Sequence, residues 1–263
     1  MFESYYNQAV LHTVDGIPCF GREEDGDCFD EEDIASWGAG RFQSNFETRK
    51  FSDNPVTAHL LESMCSEKEV VDLACGPGMG LIPSLLQRNP EVHCLATDAN
   101  ISVLTEWKRF LVEQGIRKNI GFAQFSAFDI PFRDNCVKAY SSNLGLGSTR
   151  DGSRGYDKAV SEVRRTLVPG GKLYTIEVEW THIPAILDLF RKMNREPWHL
   201  FVEAQESGYK SWEDRFRIAG FKILYHEIEK TKPLAADDNE LGMAAARFGI
   251  DAEMCFHAFI AEK

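Results

Sequence analysis

Residues 69–80, EVVDLACGPGMG, constrain the fold of this chain more than any other part of the sequence. The first six residues form a short apolar run typical of a buried strand. Three glycines follow in close succession (Gly76, Gly78 and Gly80), and a helical pattern begins near Leu81. A strand, a glycine turn and a helix in this order present backbone N–H groups to a ligand at one edge of a parallel sheet. We therefore predict the first β-α-β unit of an open α/β sheet here.

Two carboxylates accompany this turn. Asp72 lies in the first strand, and Asp98 ends the next apolar run, VHCLATD. An acidic side chain at the end of the second strand can accept hydrogen bonds from a ribose diol. The third glycine of the diphosphate-binding fingerprint is missing, because its position holds Leu81. The pattern thus indicates a nucleoside-containing ligand and disfavours a nicotinamide-dependent dehydrogenase.

The series Asp72, Ala74, Gly76 and Gly78 resembles the first motif of class I S-adenosylmethionine-dependent methyltransferases, Asp/Glu-x-Gly-x-Gly-x-Gly. Ala74 replaces the first glycine, which is a mild departure if its φ angle is negative. Three further segments resemble the same family in order: SAFDIPF (126–132), AYSSNLGLGS (139–148) and AVSEVRRTLVPGGKLYTIE (159–177). The resemblance covers about residues 55–180, and the nearest group by pattern is the small-molecule branch that includes the ubiquinone/menaquinone-biosynthesis methyltransferases.

The resemblance implies a Rossmann-like, doubly wound sheet of seven strands in the order 3-2-1-4-5-7-6, mostly parallel with an antiparallel last strand. Apolar runs predict strands near 69–74, 92–97, 119–125, 137–142, 171–178, 221–229 and 253–261. Helical patterns lie near 55–66, 80–88, 100–114, 155–167, 183–218 (broken) and 238–248. Alternation of strands with helices predicts a parallel sheet covered on both faces.

S-adenosylmethionine is the cofactor that the resemblance implies, and we expect Asp129 to recognise its adenine amino group. Arg41 is a candidate for pairing with the cofactor's carboxylate. The predicted cofactor-binding residues are Asp72, Ala74, Gly76, Gly78, Asp98, Ala99, Phe128, Asp129, Ile130, Asn143 and Arg41.

Candidate catalytic residues lie near the end of the fifth strand that the resemblance implies. Transfer to a hydroxyl or carbon acid needs a nearby base, and Glu177 and His182 lie at or just beyond the end of this strand, as does Glu179. The alternative is that one of these carboxylates caps the following helix or faces solvent. Aromatic residues nearby could line an apolar acceptor pocket: Trp180, Trp198, His199 and Phe201.

Residues 1–50 differ from the rest of the chain in combining an acidic run, REEDGDCFDEED (22–33), with many aromatic side chains. One interpretation is a solvated acidic loop beside a helix packed on the core. The other is an arm or lid that closes over the cofactor, because a methyl donor must be shielded from water. We predict such an arm at 1–50 and a methyltransferase domain at 51–263.

The net charge and the cysteine content bear on the partners, the cellular environment and the metal binding that we expect. The net charge of −12 over 263 residues disfavours nucleic acid, which binds mainly through Lys and Arg. No apolar run approaches the length of a membrane span. The seven cysteines are scattered without a zinc spacing, which favours a reducing cytoplasm and no metal site.

We therefore expect an S-adenosylmethionine-dependent methyltransferase acting on a small molecule, and the sequence is compatible with a homo-oligomer. A cofactor-binding protein without transferase activity and a methyltransferase acting on a macromolecule remain alternatives. The sequence leaves open whether O, N, C or S is methylated.

Overall fold

The computed structural model describes residues 2–21, 54–115, 119–148, 152–233 and 240–263. Its strands, in chain order, are β1 (His12–Val14), β2 (Ile17–Cys19), β3 (Glu69–Asp72), β4 (His93–Asp98), β5 (Ile120–Gln124), β6 (Val137–Asn143), β7 (Leu167–Trp180), β8 (Lys222–Pro233) and β9 (Glu253–Glu262). Its α-helices are α1 (Pro55–Met64), α2 (Ile82–Arg88), α3 (Ile101–Glu113), α4 (Gly152–Thr166), α5 (Ile183–Lys192), α6 (His199–Ser207), α7 (Trp212–Ile218) and α8 (Glu240–Phe248).

All nine strands belong to one sheet, in the order β1-β2-β5-β4-β3-β6-β7-β9-β8. The last seven strands of this order, β5-β4-β3-β6-β7-β9-β8, reproduce the predicted order 3-2-1-4-5-7-6. The strand β9 runs antiparallel to both β7 and β8, while β3 pairs in parallel with β4 and β6. The predicted Rossmann-like fold is confirmed, with two additional strands at one edge.

The additional strands form a hairpin from the N-terminal segment. β1 pairs with β2 in antiparallel fashion, and Cys19 of β2 pairs with Gln124 of β5. Gly21 donates its N–H to Gln124 Oε1 at 3.1 Å, and Gln124 Nε2 donates to the carbonyl of Ala99 at 2.8 Å. The chain therefore leaves the hairpin beside the carboxyl end of β4. Residues 22–50, with Arg41, lie outside the described residues, so closure of an arm over the cofactor stays a prediction.

Local signals fix the ends of the helices. Asn54 caps α1 by accepting hydrogen bonds from the N–H groups of Val56 (2.9 Å) and Thr57 (3.4 Å), and Pro55 lies in the first turn. Asn100 caps α3 in the same way. Such caps satisfy N–H groups that have no partner inside the helix. The broken helical pattern at 183–218 resolves into the three helices α5, α6 and α7.

The core lies on both faces of the central strands. Val70, Val71 and Leu73 are each at most 1% exposed. Successive side chains of a strand point to opposite faces, so burial of neighbours means that both faces are covered. On one side, α3 contributes the fully buried Trp107. Among the described residues, no helix is long and apolar enough to cross a membrane.

Candidate active site

The glycine turn after β3 uses left-handed backbone at four positions. Ala74, Gly76, Met79 and Gly80 have φ angles of 49°, 52°, 50° and 53°. The condition under which alanine would be a mild departure, a negative φ at Ala74, is not met, and the residue adopts a conformation that suits glycine. A Cβ in this region costs about 1–2 kcal/mol. The neighbouring residue is fixed nonetheless, since the N–H of Cys75 donates to the carbonyl of Thr97 at 2.9 Å.

Asp72 lies beneath this turn and is fully buried. Its Oδ1 accepts a hydrogen bond from the Ser141 hydroxyl on β6. A Cβ on Gly80 would overlap both carboxylate oxygens of Asp72, so this position admits only glycine without a shift of the carboxylate. Asp72 thus shapes the turn from below, and its direct contact with the cofactor stays a prediction.

Asp98 joins the turn to the end of β4. Its Oδ2 accepts from the N–H of Gly76 at 2.9 Å, and its Oδ1 accepts from the N–H of Asn100 at 2.9 Å. Burial raises the pKa of Asp98, while these backbone donors oppose that rise. Each carboxylate oxygen can accept a second hydrogen bond. The side chain is therefore oriented in advance and retains acceptor capacity for ligand hydroxyls.

The surface of the turn is open at Gly76. This residue is partly exposed, and a Cβ built on it would meet no atom within 4 Å. From behind, the indole N–H of Trp107 donates to the Gly76 carbonyl at 2.8 Å, which fixes the peptide. Gly78 is buried in the same turn, and Ala99 is partly exposed beside Asp98. An open glycine next to an oriented carboxylate fits a nucleoside whose sugar hydroxyls approach the backbone closely.

The three predicted adenine-site residues follow β5 and differ in accessibility. Asp129 is exposed, and its Oδ1 accepts from Gln8 Nε2 at 3.1 Å. Phe128 is partly exposed, with the ammonium of Lys158 5.6 Å from its ring centroid. Ile130 is fully buried and anchors the loop inside the protein. Its contact with the cofactor stays a prediction.

The loop after β6 lies directly against the glycine turn. Asn143 is partly exposed at the end of β6, and Leu144 has a left-handed φ of 63°. A Cβ on Gly145 would lie 2.5 Å from the Leu73 carbonyl oxygen and 3.0 Å from the Ala74 Cβ. Glycine is therefore required for this approach. Sequence analysis did not single out Gly145, although its position after a predicted strand end was the available signal.

Glu177 lies in β7 and is fully buried. Its Oε1 accepts from the hydroxyls of Thr175 (2.8 Å) and Ser142 (3.0 Å) and from the N–H of Leu146 (3.2 Å), while its Oε2 accepts from the N–H of Gly147 (2.8 Å). Burial raises the pKa of Glu177 to about 7 against the effect of these donors. The geometry favours a carboxylate that holds the loop after β6, and its catalytic role stays a prediction.

The other two polar candidates lie apart from Glu177. Glu179 Oε1 accepts at 2.6 Å from the N–H of Trp212, the first residue of α7, and so satisfies a donor at the helix start, as in the capping alternative. Burial also raises the pKa of Glu179. His182 is mostly exposed at the start of α5, with its Nε2 3.9 Å from Glu253 Oε2. Its predicted catalytic role is untested.

Aromatic side chains gather where β7 ends, and we call Trp180, Phe190, Trp198 and Phe201 the aromatic cluster. Trp198 stacks on Phe201 at 5.6 Å between ring centroids, and Trp180 meets Phe201 edge-on at 5.2 Å. Phe201 is fully buried, whereas Trp198 is 49% exposed. The cluster therefore leaves about half of Trp198 accessible to solvent near the carboxyl end of β7. The side chain of His199 lies outside the described part of the structure.

A pocket of about 660 Å³ opens between α6 and α7, and no predicted cofactor residue lines it. Two of its lining cations, Lys210 and Arg215, each lie 2.7 Å from the carboxylate of Asp157. Both cations thus pair with the same carboxylate of α4. Among the described residues, no group of three or more His, Cys, Asp or Glu side chains could hold a metal ion.

The chain is similar to known methyltransferases in sequence and in fold. The model of the ubiE/COQ5 methyltransferase family matches residues 49–196. The ubiquinone/menaquinone biosynthesis C-methyltransferase UbiE of Acidiphilium cryptum (strain JF-5) is 30% identical over 148 residues, which are 56% of this chain and 55% of that protein. The chain thus spans about half the length of the curated relatives it matches.

Solved structures show the same fold at low identity. A provisionally assigned methyltransferase from Bacillus halodurans C-125 is 18% identical with a TM-score of 0.55, and the match covers 79% of this chain and 98% of that one. Geranyl diphosphate C-methyltransferase from Streptomyces coelicolor A3(2), solved with S-adenosyl-L-homocysteine, is 16% identical with a TM-score of 0.50 over 77% of this chain and 74% of that one. The chain belongs to the ubiE/COQ5 methyltransferase family, which confirms the predicted class and its cofactor, S-adenosylmethionine.

Proposed function

We propose that this chain transfers a methyl group from S-adenosylmethionine to a small-molecule acceptor. The observation that carries the proposal is the Asp98 carboxylate, which is held by the N–H of Gly76 beside an open glycine turn. Family membership supports the transferase assignment. The acidic net charge of −12 supports a small acceptor over nucleic acid.

The residues of the chain would bind and align the cofactor. Asp98 would accept hydrogen bonds from the ribose hydroxyls, and Asp129 would accept one from the adenine amino group. Asn143 and the backbone at Gly76 would line the methionine part. When bound, S-adenosylmethionine supplies an electrophilic methyl group for in-line displacement. The protein then contributes alignment of the two reactants and exclusion of water.

The acceptor would lie at the aromatic cluster. The exposed part of Trp198 offers an aromatic, apolar surface next to the end of β7. Aromatic rings stack on such a surface in offset or edge-on arrangements. The Acidiphilium cryptum relative is named for C-methylation in ubiquinone/menaquinone biosynthesis. A small acceptor with a planar apolar ring is the class that this surface fits.

The proposal is tested by calorimetric titration of the full chain with S-adenosylhomocysteine and, separately, with NAD. We expect binding of S-adenosylhomocysteine only. Asp98→Ala should weaken it at least tenfold, because each lost hydrogen bond to a charged acceptor is worth about 1.5–3 kcal/mol. Asp188→Ala, which removes an Asp from α5, is the control and should leave the affinity unchanged.

Two outcomes would contradict parts of the proposal. Binding of NAD in place of S-adenosylhomocysteine would remove the methyltransferase function. Equal affinity of the wild type and Asp98→Ala would remove the ribose assignment. Release of labelled S-adenosylhomocysteine with a panel of planar apolar acceptors then separates a transferase from a protein that only binds the cofactor.

A further inference from the structure

The loop that follows β5 is held on one side by the N-terminal segment. The N–H of Asn7 donates to the Pro131 carbonyl at 3.0 Å, and the N–H of Arg133 donates to the Tyr5 carbonyl at 2.8 Å. Gln8, the residue after Asn7, donates from its side-chain amide to the carboxylate of Asp129. The segment thus runs antiparallel along residues 129–133. This pairing fixes the outer side of the loop and orients the carboxylate of Asp129.

On the other side, Arg165 of α4 binds the same loop. Its Nη2 donates to the Ile130 carbonyl at 2.7 Å, and its Nη1 donates to the Phe132 carbonyl at 2.8 Å and to Asp134 Oδ1 at 2.7 Å. Its Nε and Nη2 also donate to the two carboxylate oxygens of Glu162, at 2.8 and 2.7 Å. All five N–H groups of the guanidinium are therefore engaged, three of them with the loop.

Glu162 completes the contact, because its Oε2 accepts from the N–H of Ile130 at 3.0 Å. Both the N–H and the carbonyl of Ile130 are thus bound by the Glu162–Arg165 pair. A surface ion pair between residues three apart on a helix contributes little to stability by itself. The contacts with the loop are what distinguish this pair from an ordinary helix-surface pair.

We propose that Arg165, together with Glu162, is a positioning residue for the adenine subsite. By binding the backbone at Ile130 and Phe132, it holds the loop so that Phe128 and Asp129 face the cofactor. The inference rests on the proposed function, since it takes Asp129 as the residue that recognises adenine. A loop ordered before binding loses less conformational freedom when the ligand arrives. Only a planar guanidinium can bind two carbonyls and two carboxylates at once, so lysine is not equivalent.

The test compares Arg165→Met and Arg165→Lys in the full chain. The control is Arg191→Met, which removes an arginine that pairs with Asp188 three residues earlier on α5, at 2.7 Å. Each variant is titrated calorimetrically with S-adenosylhomocysteine and with S-inosylhomocysteine, in which hypoxanthine replaces adenine. Thermal unfolding of each variant is measured in parallel.

We expect Arg165→Met to raise the Kd for S-adenosylhomocysteine about tenfold, the equivalent of one lost charge-assisted hydrogen bond. Arg165→Lys should lie between Arg165→Met and the wild type, and Arg191→Met should match the wild type. The preference for adenine over hypoxanthine should fall in both Arg165 variants, because Asp129 would no longer be held in place. Arg165→Lys decides the question if Arg165→Met does not fold.

The inference is overturned if the Arg165 variants unfold at a lower temperature but keep wild-type affinity and preference. It is also overturned if both ligands weaken equally, since that pattern indicates general loosening. A wild type that does not bind S-adenosylhomocysteine would refute the proposed function, and this inference with it. Unchanged binding in the variants beside a wild type that binds would refute only the role of Arg165.

Discussion

The two halves of the candidate site are built by different physical means. On the cofactor side, the turn after β3 and the loops after β4 and β6 are held by buried side chains that hydrogen-bond to backbone, as Asp98 does with Gly76. On the acceptor side, the aromatic cluster after β7 consists of rings packed on one another. Hydrogen bonds are directional, whereas apolar packing is not. The cofactor side should therefore tolerate far less change than the acceptor side.

The largest expected effect comes from Gly80→Ala on the cofactor side. The new Cβ would overlap the buried Asp72 carboxylate at a φ of 53°, and strain with overpacking should cost about 4 kcal/mol of unfolding free energy. Gly249→Ala is the matched control, because Gly249 has a φ of 63° and open space around its Cβ position. It should cost only about 1 kcal/mol. Equal costs in urea unfolding would show that the carboxylate does not constrain the turn.

Glu177 lies between the two halves and supplies a prediction for pH. Its pKa is raised from 4.5 to about 7. Between these two pH values, the folded state therefore holds a proton that the unfolded state has lost. The resulting stabilisation is complete below pH 4.5 and is lost as the pH rises through 7, by about 3 kcal/mol.

Glu177→Gln removes this titration. Between pH 4.5 and 8, the unfolding free energy of the wild type should fall by about 3 kcal/mol more than that of the variant. Urea unfolding at several pH values measures the difference. Parallel curves for the two proteins would mean that Glu177 does not titrate in this range, and would leave its carboxylate charged throughout as the holder of the loop.

The smallest expected effect on folding is on the acceptor side. Trp198→Ala should cost about 1 kcal/mol of stability, because the indole is 49% exposed. Affinity for S-adenosylhomocysteine should not change, whereas the KM of a planar apolar acceptor should rise. Trp198→Phe should recover part of that loss by keeping an aromatic face. A drop in cofactor affinity with Trp198→Ala would contradict the separation of the two halves.

The sequence by itself determined the order of the core elements and the place of the site. Apolar runs alternating with helical patterns gave the seven core strands close to their observed bounds. In the central strands, burial on both faces leaves a continuous apolar signal. The glycine turn is local, so its signal lies within a few neighbouring residues. Asp98 followed from its place at the end of a predicted strand.

Only the tertiary structure decided how the predicted side chains are used. The glycine turn with the left-handed Ala74 lies against the loop that contains Gly145, 71 residues later in the chain. Burial of Glu177 depends on donors from β6 and its loop, and the hold of Arg165 on the loop after β5 depends on how α4 packs. The sequence did not predict the N-terminal hairpin, because strands of three residues are too short to show an alternating apolar pattern. Contacts between residues far apart in sequence have no local pattern, so folding alone assigns these roles.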